Sequence, residues 1–417
     1  MDIVKKNGII VDKESFVIPS LQRGREEMNW LVYLVYPALL AVLLWKVKIF
    51  RKGEWNEGWL SVRQTKAIQG FAAMCIILHH ISQKTCADWL PKYQIIPGLE
   101  PFVPIGYILV SIFLFCSGYG LYRSYATKEN YLKGFVKRRV LPVVLTGYLV
   151  SLLYFFARLW AGEKMTPFRV FGYLSCIRMC NTNGWFVYAM PLFYIGFYLA
   201  FRFCKKERTA LFFTSLVVIS YVAVGTYVNH NDWVMGGEWW YNSAHAFLLG
   251  LFFAKYEKKL VPHLQKHYAL YLVLALALLL PLWLGERFAL GVFSYYGEYS
   301  HLKHTVVVGH RWVCLMSQML LSTDVLCVVG LLGMKFKIGN QILDFWGTIT
   351  LELYLVHGLF VELISRSFLG IKTVWFCKNA LFYVILVTAV AIPLAMLLKK
   401  IVTLVFSQRP NEEKNTR

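Results

Sequence analysis

The stretch Arg63–Gln83, RQTKAIQGFAAMCIILHHISQ, decides the fold class. It opens on cations, runs apolar, and closes on two adjacent histidines, His79 and His80. An apolar run of this length reads as a membrane-spanning helix. Ionisable groups inside a span are costly to place, which makes them functional candidates by default. Lys66 precedes His80 by fourteen residues, roughly 21 Å along a helix that rises about 1.5 Å per residue. One helix therefore sets a cation at one membrane face and an imidazole well across the bilayer.

The rest of the chain has the same character. Of its 417 residues, 58% are hydrophobic and only 16% are charged, a balance that marks a polytopic membrane protein. The apolar runs are long and unbroken, unlike the short alternating segments of a β-barrel. The expected fold is an all-α membrane bundle of about eleven spans. They fall near 30–50, 66–84, 103–122, 140–160, 185–203, 209–228, 240–255, 268–285, 312–333, 343–365 and 379–398. The domain expectation is an N-terminal arm with one span over 1–59, a membrane domain over 60–400, and a tail over 401–417.

A net charge of +21 does not indicate a nucleic-acid partner, because the cations sit in short clusters between apolar runs. Most of the 44 Lys and Arg residues follow odd-numbered spans, in segments such as RSYATKENYLKGFVKRR and FRFCKKER. That bias places those segments and the C-terminus in the cytoplasm and the N-terminus outside. The expected location is the plasma membrane, with lipids as partners. Met1–Met28 has no apolar core and no small-residue cleavage site, so it does not read as a secretory signal. Cys176 and Cys180 share an expected outer loop, and a disulfide between them stays open. The outer loops also carry Trp89, Tyr93, Trp233, Trp239, Trp240, Tyr295, Tyr296 and Tyr299. These read either as interfacial anchors or as a platform for sugar rings.

Three groups of residues can carry chemistry. His79 and His80 lie about 100° apart on one helix, so only one faces a given pocket. Either can be a satisfied structural histidine or a general base, since imidazole titrates near neutrality. Arg63, Lys66, Arg123, Lys137, Arg138 and Arg139 form the expected cytoplasmic set. They satisfy the topology rule, and a few can also bind phosphates. Glu352, Tyr354 and His357 lie together in LELYLVHG, and Asp324 lies in the preceding span. His357 and His80 stand equally far from the starts of spans that run in the same direction, which sets them at similar depth. His245 reads as a packing residue. His301, His304 and His310 share a loop, and no metal site is expected.

These stretches, taken in order, resemble the acyltransferase-3 family of integral-membrane O-acyltransferases over roughly 60–400. The resemblance rests on QGFAAMCIILHH, SIFLFCSGYGLYRSY (Ser111–Tyr125), FVKRRVLP (Phe135–Pro142), NGWFVYAMPLFY from Asn183, WWYNSAHAFLLG from Trp239 and LELYLVHG from Leu351. It makes His80 the family histidine and His79 its neighbour. Gln69 stands where the family usually has a cation, with Lys66 one turn earlier on nearly the same face. The span Trp30–Phe50 is additional to the family's ten.

The resemblance implies transfer of an acyl group, most often acetyl from acetyl-CoA, to a hydroxyl of an extracytoplasmic glycan or glycolipid. His80 would be the general base, with His357 and Glu352 as further catalytic candidates. Lys66, Arg123, Arg138 and Arg139 would hold the acyl-CoA. Direct attack and an acyl-histidine intermediate both stay open, and Ser117 and Tyr119 are candidate oxyanion donors. The rival expectation is a multi-span transporter or flippase of a lipid-linked sugar, which paired broken helices or inverted repeats would mark.

Overall fold

Every one of the eleven apolar segments is helical. The computed structural model describes residues 30–181, 183–230, 235–293, 302–372 and 374–407. The N-terminal arm, Trp233, Tyr295, Tyr296, Tyr299, His301 and the tail from 408 lie outside the described residues. In chain order the helices are α1 (Trp30–Leu44), α2 (Val62–Thr85), α3 (Gly106–Thr127), α4 (Val136–Trp160) and α5 (Pro167–Leu174). There follow α6 (Phe186–Phe203), α7 (Glu207–Tyr227), α8 (His245–Lys266), α9 (Tyr268–Phe293) and α10 (His304–Lys335). The last three are α11 (Gln341–Thr348), α12 (Thr350–Ile364) and α13 (Ala380–Ser407). The described strands are the two-residue pair β1 (Lys48–Ile49) and β2 (Phe336–Lys337), antiparallel to each other.

Among the described residues, six helices are long and apolar enough to cross a membrane: α4, α6, α7, α9, α10 and α13. The pair α11 and α12 bends by 80° and makes a seventh if taken as one span. Helices α2, α3 and α8 have comparable length but are less apolar, and α2 and α3 carry polar residues of the site. Helix α1 is shorter than a bilayer core requires.

Two helix crossings depend on missing side chains. A Cβ on Gly118 of α3 would lie 2.0 Å from the Phe247 carbonyl oxygen, and one on Gly250 of α8 would lie 2.0 Å from that of Phe115. A Cβ on Gly347 of α11 would lie 2.2 Å from the Lys66 oxygen on α2, and one on Gly70 would lie 2.5 Å from the Leu343 oxygen. Small residues at such points let backbones meet, the usual way helices associate where lipid offers no hydrophobic drive.

The extra N-terminal helix is bolted to the bundle. Tyr36 Oη donates to Gly98 O at 2.8 Å. Asn340 Nδ2 donates to Val42 O at 2.7 Å and Trp45 O at 3.2 Å, while its Oδ1 caps α11 by accepting from Ile342 and Leu343 N–H.

Several boundaries differ from the expectation. Helix α8 runs on to Lys266, α9 runs to Phe293, and α10 starts at His304. Much of the expected outer loop 286–311 is therefore helix. Arg311 explains part of this, since its Nη1 donates to Thr226 O and Val228 O at the end of α7. A cation there is matched to a helix C-terminus. His304 and His310 consequently sit on α10, against Tyr227 and Phe293.

Candidate functional site

Helices α2 and α12 lie side by side and bring their histidines together. The rings of His80 and His357 are 5.0 Å apart, and those of His79 and His80 are 4.9 Å apart. Each ring is tied through Nδ1. His357 Nδ1 donates to Leu353 O at 2.8 Å, and His79 Nδ1 donates to Phe102 O at 2.8 Å. His80 Nδ1 donates to Gln83 Oε1 at 3.2 Å. A ring that donates through Nδ1 carries its lone pair on Nε2. His357 is fully buried, and its Nε2 has no hydrogen-bond partner. His79 turns its Nε2 onto Gly106, where a Cβ would come within 2.3 Å. The Nε2 of His79 is thus turned onto α3, while the rings of His80 and His357 are direct neighbours.

The C-terminal ends of these helices are clamped. Lys84, one turn past His80, pairs with the buried Glu362 at 2.7 Å. Asn181, in the loop before α6, donates through Nδ2 to Leu355 O at 3.1 Å. Gly358, next to His357, leaves room for Asn183 and Tyr154, which a Cβ would meet at 2.6 Å and 2.8 Å. In the same loop, Arg158 Nε donates to Cys180 O at 2.9 Å. Cys176 and Cys180 both carry free thiols, and burial pushes the Cys180 thiol up to about 12.

On the other side of the histidines lies a cavity of about 320 Å³ between α2, α3, α4, α6 and α12. Lys66, Gln69, Ser117, Arg139 and Tyr194 line it, and Tyr354 and Phe186 close its deep end. Gln69 and Lys66 thus share one cavity. Tyr354 is the step to the site, with its ring 6.1 Å from that of His357 and 5.9 Å from that of Phe186. A further hollow of about 280 Å³ adjoins through Arg139 and is lined by Lys128, Glu129, Tyr131, Arg138 and Arg139. Tyr131 orients both arginines: its carbonyl accepts from Arg138 Nη2 at 2.6 Å and its hydroxyl from Arg139 Nε at 3.0 Å. The two spaces form a path with a basic mouth that runs as far as Tyr354, the ring neighbour of His357, sized for an elongated small molecule.

The sequence candidates separate on this geometry. Lys66, Arg138 and Arg139 fall along the path, and His80 and His357 lie beyond its Tyr354 end. Arg123 does not line it and instead pairs with Glu257 at 3.7 Å. Arg63 pairs with Asp344 at 2.9 Å. Glu352 is buried within electrostatic reach of Lys66 and Lys399, below the histidines. Ser117 lines the cavity and bonds Tyr194 Oη at 2.7 Å, whereas Tyr119 donates to Glu257. His245 bonds Ser322. Asp324 opens onto a separate apolar cavity of about 440 Å³ behind α3. Sequence reasoning missed Gln83, Tyr131 and Asn181, which act on backbone and ring orientation and have no motif of their own. The i, i+3 spacing of His80 and Gln83 was the one available signal.

This arrangement defines a multi-pass helical membrane protein with paired imidazoles behind a basic-mouthed internal cavity. The family model of the acyltransferase domain, acyltransferase-3 type, matches residues 65–400. The chain belongs to the acyltransferase-3 family and is an acyltransferase on that ground. No curated protein and no solved structure matches it.

Proposed function

We propose that the protein is a plasma-membrane O-acyltransferase that moves an acetyl group from cytoplasmic acetyl-CoA to a hydroxyl of a cell-surface polysaccharide or glycolipid. On this reading all eleven helical segments are spans, with the N-terminus outside and the C-terminus in the cytoplasm. The supporting observation is the path that leads from Arg138 and Arg139 through the Lys66 cavity to Tyr354, whose ring neighbours His357 of the histidine pair. The CoA phosphates rest on the arginines, which offer planar forks to phosphate oxygens. The pantetheine arm enters the 320 Å³ cavity, and the thioester passes Tyr354.

The acceptor oxygen then attacks the thioester carbonyl carbon as Nε2 of His80 takes its proton. The C–S bond breaks, CoA leaves as thiolate, and the proton passes to that sulfur. His357, with its ring 5.0 Å from that of His80, positions the acceptor hydroxyl. Glu352 sets a carboxyl group within electrostatic reach of Lys66. The ordered Ser117–Tyr194 pair supplies donors along the arm.

The transporter reading has one observation in its favour, the 80° break between α11 and α12. It asks for a matching break in a second repeat, and among the described residues that bent pair is the only one. The test is reconstitution in vesicles, with labelled acetyl-CoA on the Arg139 side and glycan acceptor on the other. Label on the glycan supports transfer across the membrane. Glycan movement without label would promote the transporter.

A further inference from the structure

A second cavity, of about 520 Å³, opens at the far end of the same two helices. Its lining includes Tyr93, Arg366, Trp375, Phe376, Asn379 and Phe382. Backbone hydrogen bonds fix where it sits. Ile96 N donates to Thr85 O, the last residue of α2, at 2.7 Å, and Cys377 N donates to Ile364 O, the last of α12, at 3.3 Å. Thr85 is five residues past His80 and Ile364 seven past His357, about 8 and 11 Å of helix rise. The first cavity touches these helices at Gln69 and Tyr354, before the histidines. The imidazoles therefore lie between two cavities that open toward opposite ends of one helix pair.

The chemistry of the second cavity differs from that of the first. Its aromatic rings are open: Tyr93 is 77% exposed, Phe382 49% and Trp375 46%. Trp375 and Phe382 stand nearly perpendicular, with ring centroids 6.3 Å apart. The Arg366 guanidinium lies 3.8 Å over the Phe376 ring. The lining holds two cations, Arg366 and Lys378, and no acid. Flat aromatic faces take the C–H faces of pyranose rings, and a guanidinium edge pairs with a carboxylate. Interfacial anchoring accounts for the aromatic rings alone, but not for two cations that line the same hollow with them.

We propose that this cavity is an acceptor subsite for an acidic oligosaccharide. The helix rise separating it from the histidines exceeds the span of one pyranose. The ring held here is thus a neighbour of the sugar that is acylated, so the subsite selects chain length and charge. Its role in acceptor choice rests on the acyltransferase reading, whereas its binding chemistry does not.

The test uses the full chain in detergent, with tetragalacturonic acid as probe and maltotetraose as its neutral counterpart. Direct titration is expected to show the acidic tetramer bound at least tenfold more tightly than the neutral one. Trp375→Ala and Arg366→Gln are each expected to raise its Kd about tenfold. In transfer assays the same variants raise KM for the tetramer and leave KM for acetyl-CoA and for the galacturonic acid monomer within about twofold. Unchanged tetramer binding in both variants, or equal affinity for the neutral tetramer, would overturn the proposal. If the tetramer binds as expected and no acetyl group is transferred, the acyltransferase reading fails while the subsite stands.

Discussion

The imidazoles of His80 and His357 face each other at 5.0 Å from two neighbouring helices, each tied down through Nδ1. The ties differ in kind. His357 bonds its own helix backbone, whereas His80 depends on the side chain of Gln83. Gln83→Leu frees the His80 ring and its tautomer while leaving the ring in place. The expected result is a fall in kcat of about tenfold with KM for acetyl-CoA unchanged, since such supporting groups carry about 10–100-fold in activity. Steady-state kinetics on purified protein check this. A KM effect with unchanged kcat would place Gln83 in binding instead.

The two arginines beside Tyr131 and the one beside Glu257 make contrasting claims. Arg139 lines both the hollow and the cavity, and Arg123 lines neither. Arg139→Gln is expected to raise KM for acetyl-CoA about tenfold, the loss of one charge-assisted contact. Arg123→Gln is expected to leave it within about twofold. Equal effects of the two would mean that general positive charge, and not the path, recruits the donor.

The crossing of α3 and α8 gives a stability prediction. Gly118→Ala forces a Cβ to within 2.0 Å of backbone, which cannot move aside as a side chain would. The expected cost is about 2 kcal/mol or more, in the range of overpacked cores. Gly120→Ala meets nothing within 4 Å and is expected to be near neutral. Thermal unfolding in detergent compares them.

Stability should also depend on pH through His230, which lies just past the end of α7. Burial, aided by the nearby Arg311 charge, lowers its pKa to about 4. The folded state then binds fewer protons than the unfolded chain between about pH 6.5 and 4. The stability contributed by neutral His230 is full above that window and is lost as pH falls through it. His230→Gln is expected to flatten the slope of melting temperature against pH over this window. An unchanged slope would assign the acid sensitivity to other groups.

The sequence made the helices legible because apolar runs in a membrane protein leave few alternatives to helix. Counting residues from the starts of their spans also set His80 and His357 at one depth, and the two rings meet in the structure. The break between α11 and α12 was hidden, because no proline marks it. Just before the break Gly347 meets the backbone of Lys66, a contact between distant segments. Equally hidden was the division of the cations, as Arg123, Arg138 and Arg139 look alike in one basic segment. Only packing shows that Glu257 engages the first while Tyr131 orients the other two. The aromatic cavity around Trp375 joins the loop after α2 to the loop after α12, residues far apart in the chain.

The central claim is that His80 removes the proton of the acceptor hydroxyl. The most direct measurement is transfer of labelled acetyl from acetyl-CoA to surface glycan in membranes that hold equal amounts of wild-type protein and His80→Ala. Loss of a general base lowers the rate by at least about a hundredfold, and that is the expected result, with acetyl-CoA binding retained. Transfer at the wild-type rate in His80→Ala would contradict the account.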